Sequence, residues 1–229
     1  VGGGTININA AGSYTQTAGN FSNEGIINCY SGSDLVFLDS GTTFTNSGQV
    51  NMYSSSTLFS SFVLSGTYSE SSWDKYTKYS RYIASAANGW DLIGSPLENQ
   101  SISGFQSTNV DIATNGSSYA IGTYTNTSEA ASAGTTWTNY TTSTIGGAGN
   151  FALGIGYQMA TNGGSEVFFE GEVKTSSVSV LVTTNEEGST EASDGTKFAL
   201  IANPYASYVD VTSFLNAHKT NQLHASHIA

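Results

Sequence analysis

Two kinds of hydrophobic patterning divide the chain. Over residues 1–68, short alternating apolar and polar runs return at a near-constant interval. Phe21-Ser-Asn-Glu-Gly-Ile-Ile-Asn28 comes back as Phe44-Thr-Asn-Ser-Gly-Gln-Val-Asn51, and Tyr30 to Leu35 comes back as Tyr53 to Leu58, both at a shift of 23. Gly4-Thr-Ile-Asn7 through Tyr14 is an earlier copy at a shift of 21. A period of two marks a strand with one buried face, and self-similarity at about this interval marks a solenoid. The pattern therefore predicts a β-solenoid over residues 1–72, in which no turn is stable alone and stacking supplies the core. Ile6, Ile27 and Val50 are expected to form one stacked row, and Tyr14, Leu35 and Leu58 another. Asn7, Asn28 and Asn51 share one repeated position. Their amides can form a hydrogen-bonded ladder, with metal or sugar contact as the other use of the same groups. Cys29, beside this row and far in sequence from any His, reads as a small buried hydrophobe.

The pattern then changes. Trp73-Asp-Lys75-Tyr76-Thr-Lys78-Tyr79-Ser-Arg81-Tyr82 beats in threes and holds three of the chain's six cationic side chains. Its aromatic and β-branched content favours an extended strand. Lys75, Thr77, Tyr79 and Arg81 would share one face, with Tyr76, Lys78 and Tyr82 on the other. Aromatics beside cations suit an anionic polysaccharide or an acidic neighbouring molecule, and a polar connecting strand would read the same way. Longer strands are predicted beyond it, at 79–85, 90–94, 119–124, 137–141, 156–160, 166–170, 178–184 and 197–201. Asn115-Gly116 and Asn162-Gly163-Gly164 are hairpin signals between them. Strands of this length with frequent turns predict an antiparallel β-sandwich over residues 73–229.

Both prolines of the chain close related segments. Trp90-Asp-Leu-Ile-Gly-Ser-Pro96 is echoed at a shift of 108 by Phe198-Ala-Leu-Ile-Ala-Asn-Pro204, and Ile102 and Phe105 are echoed by Val211 and Phe214 at 109. Proline removes a ladder donor and keeps the preceding residue extended, so each copy reads as a buried strand that ends at its proline. Two related edges of the sandwich are expected there.

Composition supports an all-β chain: 13 Tyr and 11 Phe, with charged residues at only 10%. A net charge of −11 repels a phosphate backbone, so nucleic acid is not an expected partner. No apolar run reaches the roughly 20 residues of a membrane-spanning helix, and Val1-Gly-Gly-Gly4 does not open a signal peptide. One cysteine excludes an intrachain disulfide. Little Lys with abundant Ser, Thr, Asn and Gly leans towards an extracellular setting.

Candidate chemistry is sparse. His218, His224 and His227 cluster near the end, where His224 and His227 would share a helical face and suit zinc, and a fraying terminal segment is the plainer account. Glu166, Glu170 and Glu172 alternate on one predicted strand. Glu170 or Glu172 with a second acid would suit a glycosidase, and solvated charge on a β-surface is the plainer account. The Glu186–Asp194 loop carries oxygen ligands for calcium without the regular spacing of a dedicated loop. Gly146-Gly-Ala-Gly149 lacks the Lys-Ser/Thr of a phosphate loop. No cofactor or bound metal is expected.

Several segments carry a family resemblance in order: Arg81-Tyr-Ile, Trp90 to Pro96, Tyr119-Ala-Ile-Gly-Thr-Tyr124, Trp137-Thr-Asn-Tyr140, Gly149 to Tyr157, Val167-Phe-Phe-Glu-Gly171 and Leu200-Ile-Ala-Asn-Pro-Tyr205. Across residues 79–215 the chain resembles the surface and adhesin-like proteins that Bacteroidetes, flavobacteria above all, export by type IX secretion. The resemblance implies export across the outer membrane, a cell-surface or secreted location and a C-terminal sorting domain. The sequence stops at Ala229 without that domain, as a fragment or processed product would. No shared catalytic residues transfer. The expected function is a non-enzymatic structural or adhesive surface protein, with a self-assembling filament or sheath subunit as its bolder form. Its partners would be other copies of itself, other surface proteins or polysaccharide, without membrane insertion. A carbohydrate-binding module is the alternative, with Trp73, Trp90 and Trp137 stacking on sugars. Expected glycan or partner contacts are Trp73, Lys75, Tyr76, Lys78, Tyr79, Arg81, Trp137 and Tyr140. A β-solenoid lyase or hydrolase is the weakest reading, because three turns make a short groove.

Overall fold

A computed structural model describes residues 3–70, 77–127, 134–182 and 198–218. The first nine strands wind as three turns of a β-solenoid. Turn one is β1 (Thr5–Ile8), β2 (Ser13–Gln16) and β3 (Gly19–Asn23); turn two is β4 (Ile26–Cys29), β5 (Asp34–Phe37) and β6 (Thr42–Asn46). Turn three is β7 (Gln49–Met52), β8 (Ser61–Leu64) and β9 (Thr67–Glu70). Equivalent strands pair in parallel, giving sheets β1-β4-β7, β2-β5-β8 and β3-β6-β9. Ile6, Ile27 and Val50 stack in register as the repeat predicts. The interior is unusually aromatic: Phe37 and Phe44 stack at 4.8 Å, and Phe21, Phe62 and Tyr68 pack edge-on around Phe44. Gly25 and Gly48 recur because the turns touch there; a Cβ on Gly48 would meet the Gly25 carbonyl oxygen, and one on Gly25 that of Gly4.

The second predicted row needs a correction. Tyr14 and Leu35 stack, but the third member is Phe62, and Leu58 is 52% exposed. The step from Leu35 to Phe62 is longer than the step from Ile27 to Val50 on the neighbouring sheet. The extra chain folds out as a small loop closed by the Ser54–Phe59 bridge, and so carries Leu58 off the core.

The cationic stretch is extended as expected: β10 (Thr77–Ile83) joins the first solenoid sheet parallel to β7. Its other edge pairs antiparallel over its whole length with β17 (Ser165–Val173), which in turn pairs with β12 (Leu97–Glu98). One six-stranded sheet therefore runs from the solenoid into the second half of the chain. An antiparallel sheet faces that half, in the order β11 (Asp91–Ile93), β16 (Tyr157–Met159), β14 (Ser118–Tyr124) and β13 (Thr114–Asn115), with β15 (Trp137–Thr141) also on β14. Between the sheets, Phe169 stacks on Phe105 at 4.6 Å; Phe151 packs edge-on against Phe105 and against Tyr157. The chain is a short N-terminal β-solenoid followed by an antiparallel β-sandwich.

Among the described residues, two short α-helices interrupt this plan where strand periodicity gave no sign of them. α1 (Ile102–Thr108) and α2 (Val211–His218) start at the echoed residues Ile102 and Val211. Ser101 caps α1 by accepting from Gly104 N at 3.0 Å, and Asp210, at the equivalent place before α2, accepts from Ser213 N at 2.9 Å. A short segment rich in Gly, Ser and Thr is a poor helix alone, and α1 is held by burying Ile102 and Phe105. The expected pair of sandwich edges is also corrected. The first segment forms β11, but residues 198–202 make only an isolated Ile155–Ile201 bridge. No strand forms over 178–182, the described part of the predicted 178–184.

Candidate functional site

The outward face of the long sheet carries the polar rows. Asn51 Nδ2 donates to Asn28 Oδ1 at 2.8 Å, and Asn28 Nδ2 donates to Asn7 Oδ1 at 2.9 Å, so the repeated asparagines do form a ladder. Lys78 is the next rung in register, and its Nζ meets Glu170 Oε1 at 2.5 Å across the antiparallel pair. Glu166 on the same strand accepts from Ser54 N and Ser80 Oγ, while Glu98 pairs with Lys174 at 2.7 Å. Tyr30 and Tyr53 stack at 5.5 Å along this face. Glu166 and Glu170 are thus tied to neighbours that set the sheet's register.

A second, buried amide pair runs along the third sheet. Asn23 Nδ2 donates to Asn46 Oδ1 at 2.9 Å, and Glu70 occupies the following rung. The Glu70 carboxylate accepts from the Tyr68 hydroxyl at 2.5 Å. Burial raises the Glu70 pKa, and the charge of Glu172 adds to the rise. Cys29 is fully buried, and burial with the nearby Asp34 carboxylate pushes its thiol up to about 12. It is a packing residue, with no means of presenting a thiolate.

At the junction, Tyr79 is 4% exposed and its hydroxyl donates to the Ser60 carbonyl at 2.8 Å, so it braces the loop of the third turn instead of standing on the outer surface. Arg81, on the same face of β10, lies with Cζ 4.2 Å from the centre of the Phe59 ring. Both border a cavity of about 240 Å³. Its remaining walls come largely from the two proline-ended segments, including Ile93, Pro96, Leu200 and Asn203. The two copies of the repeat that stands out in the sequence therefore border one space.

The exposed face of the second sheet holds Trp137 but not Tyr140. Trp137, 37% exposed, packs against Tyr124 with ring centres 4.9 Å apart. Further along the strand, Asn139 Oδ1 accepts from Gln158 Nε2 at 2.7 Å across Gly122, where any side chain would strike both amides. Leu92, 49% exposed, pairs with Gln158 and extends the row. Tyr140 points to the opposite side, packed against the core, and burial raises its pKa. Trp90 is 42% exposed. The Asn139–Gln158 pair escapes sequence reasoning because strand pairing makes it, although the Trp137-Thr-Asn139 spacing hints at a shared face.

Trp73, Lys75, Tyr76, the Glu186–Asp194 loop, His224 and His227 lie outside the described residues. His218 is described, and its ring packs tilted against Phe214 with centres 4.7 Å apart. Among the described residues, no three His, Cys, Asp or Glu side chains are grouped to hold a metal ion, and no helix is long and apolar enough to cross a membrane. Compared with protein-family models, characterised proteins and solved structures, the chain shows no match.

Proposed function

We propose that this chain is a non-enzymatic structural or adhesive protein of the cell exterior, exported as the type IX surface proteins of Bacteroidetes are, and that it engages glycan through the exposed face of its second sheet. The observation that carries the reading is the Trp137–Tyr124 pair beside the Asn139–Gln158 amides on one open β-surface. Sugars bind where an aromatic face covers their C–H surface and planar amides meet their hydroxyls, and this arrangement supplies both. Its β-strand footing keeps the geometry fixed, so little ordering entropy opposes binding. Glycan-array screening tests it directly. Binding to a defined set of glycans, lost in Trp137→Ala and retained in a control change at exposed Leu181, is the expected result. An array with no signal, or one unchanged by Trp137→Ala, overturns it.

A second reading, self-assembly, is favoured by the described turn at β1, β2 and β3, whose strands each pair on one side only. Ile6, Tyr14 and Phe21 are half-buried there, and Asn7 ends its ladder with its amide nitrogen directed away from Asn28. Such edges accept further parallel strands. Electron microscopy of concentrated protein would show regular fibres; monodisperse single particles would rule this form out.

A further inference from the structure

The cavity at the two proline-ended segments shares only Leu92 with the row that carries the glycan-contact residues, and we propose that it binds a small ligand carrying one carboxylate on a compact ring. Charge is the first reason. Among the described residues, Arg81 is the only formally charged one bordering the cavity, in a chain whose net charge is −11. Pairing is the second. Of the described cations, Lys78 and Lys174 meet glutamates, whereas Arg81 has no described carboxylate within salt-bridge distance and rests on Phe59. Asp91, within the first segment, and Asp210, after the second, are turned to backbone: Asp91 Oδ2 accepts from Ala84 N at 2.6 Å and Asp210 Oδ1 from Ser213 N.

The Phe59 ring lies under the guanidinium carbon of Arg81. Among the described residues, no carboxylate pairs with its N–H fork. That fork matches a carboxylate with two parallel hydrogen bonds. Ile93, Pro96 and Leu200 supply apolar walls, and Tyr79 and Tyr205 add ring edges. About 240 Å³ is below the range of drug-sized pockets and holds little more than one ring. The ligand class is therefore a single-ring monocarboxylate, either a sugar acid or an aromatic acid.

Titration calorimetry on the full chain separates these sources. Glucuronate and benzoate are the two probes, with glucose and benzamide as their neutral counterparts. One acid should bind and its neutral counterpart should not; the acid that binds names the body. Arg81→Gln should weaken that binding roughly tenfold or more, the loss expected for a hydrogen bond to a charged group, and Arg81→Lys should restore part of it. Because Arg81 also packs on Phe59, Ser207→Leu provides a second variant, adding bulk to the lining while leaving Arg81 in place; it should abolish binding with near-ultraviolet circular dichroism unchanged. Trp137→Ala should leave this site intact whatever it does to glycan binding. Failure of both acids to bind, equal binding of a neutral counterpart, or full binding by folded Ser207→Leu would overturn the proposal.

Discussion

Gly94 and Ala202 hold the same place in the two proline-ended segments, and they meet: a Cβ built on Gly94 would lie 2.3 Å from the Ala202 Cβ. Related segments far apart in the chain thus touch at equivalent positions, beside the cavity that both border. Gly94→Ala is predicted to overpack this contact and cost about 1–3 kcal/mol. Ala202→Gly in the same chain should return part of that loss, the remainder coming from the Ile155 carbonyl 2.8 Å from the added carbon. Urea unfolding of the single and double variants measures both numbers; additive effects would show that the contact is absent.

The two amide ladders should differ in strength. Asn23 is fully buried and bonds Asn46 Oδ1, the Gln49 carbonyl and Gly25 N, whereas the Asn28–Asn7 bond lies at the surface. Removing one partner of a buried set strands the others, so Asn23→Ala is expected to cost about 2–4 kcal/mol and Asn28→Ala about 1 kcal/mol. Denaturant midpoints at constant slope would rank them.

Glu70 makes stability depend on pH. Burial raises its folded pKa above the unfolded one, so its contribution is full below the unfolded pKa and is lost as pH rises through the raised folded value. Glu70→Gln keeps the shape without the charge. The variant should lose this fall in melting temperature, which sets in above the ordinary carboxyl pKa, and be at least as stable as the parent once Glu70 is ionised. A thermal-melt series against pH reads the difference; parallel curves would exclude Glu70 as the source.

Cys29 should be silent towards thiol reagents in the native state. It is fully buried with its pKa at about 12, so Ellman's reagent should react only at the rate of opening, and at once in denaturant. Rapid native labelling would mean that the solenoid opens far more readily than its packing implies.

Much of the solenoid was legible in the chain. Its turns repeat, so the Ile6–Ile27–Val50 row and the Asn7–Asn28–Asn51 ladder follow from spacing alone, since a fixed offset places equivalent residues one strand apart. Leu58 escaped because a local insertion breaks the offset without breaking the composition. The helices escaped because Ser101 and Asp210 are ordinary loop residues until packing of Ile102 and Phe105 makes a helix worthwhile at α1.

Sequence determined the strand periodicity, the repeat length, the acidic charge and the pairing of the two proline segments, all of which are local or periodic properties of a chain. Tertiary structure alone decided that β10 and β17 extend the solenoid sheet, that Tyr79 turns inward while Arg81 borders a cavity, and that Asn139 meets Gln158 beside Trp137. Those outcomes depend on which strand edges find each other across long separations. Each backbone edge offers the same donors and acceptors, so side-chain packing between the sheets selects the partner.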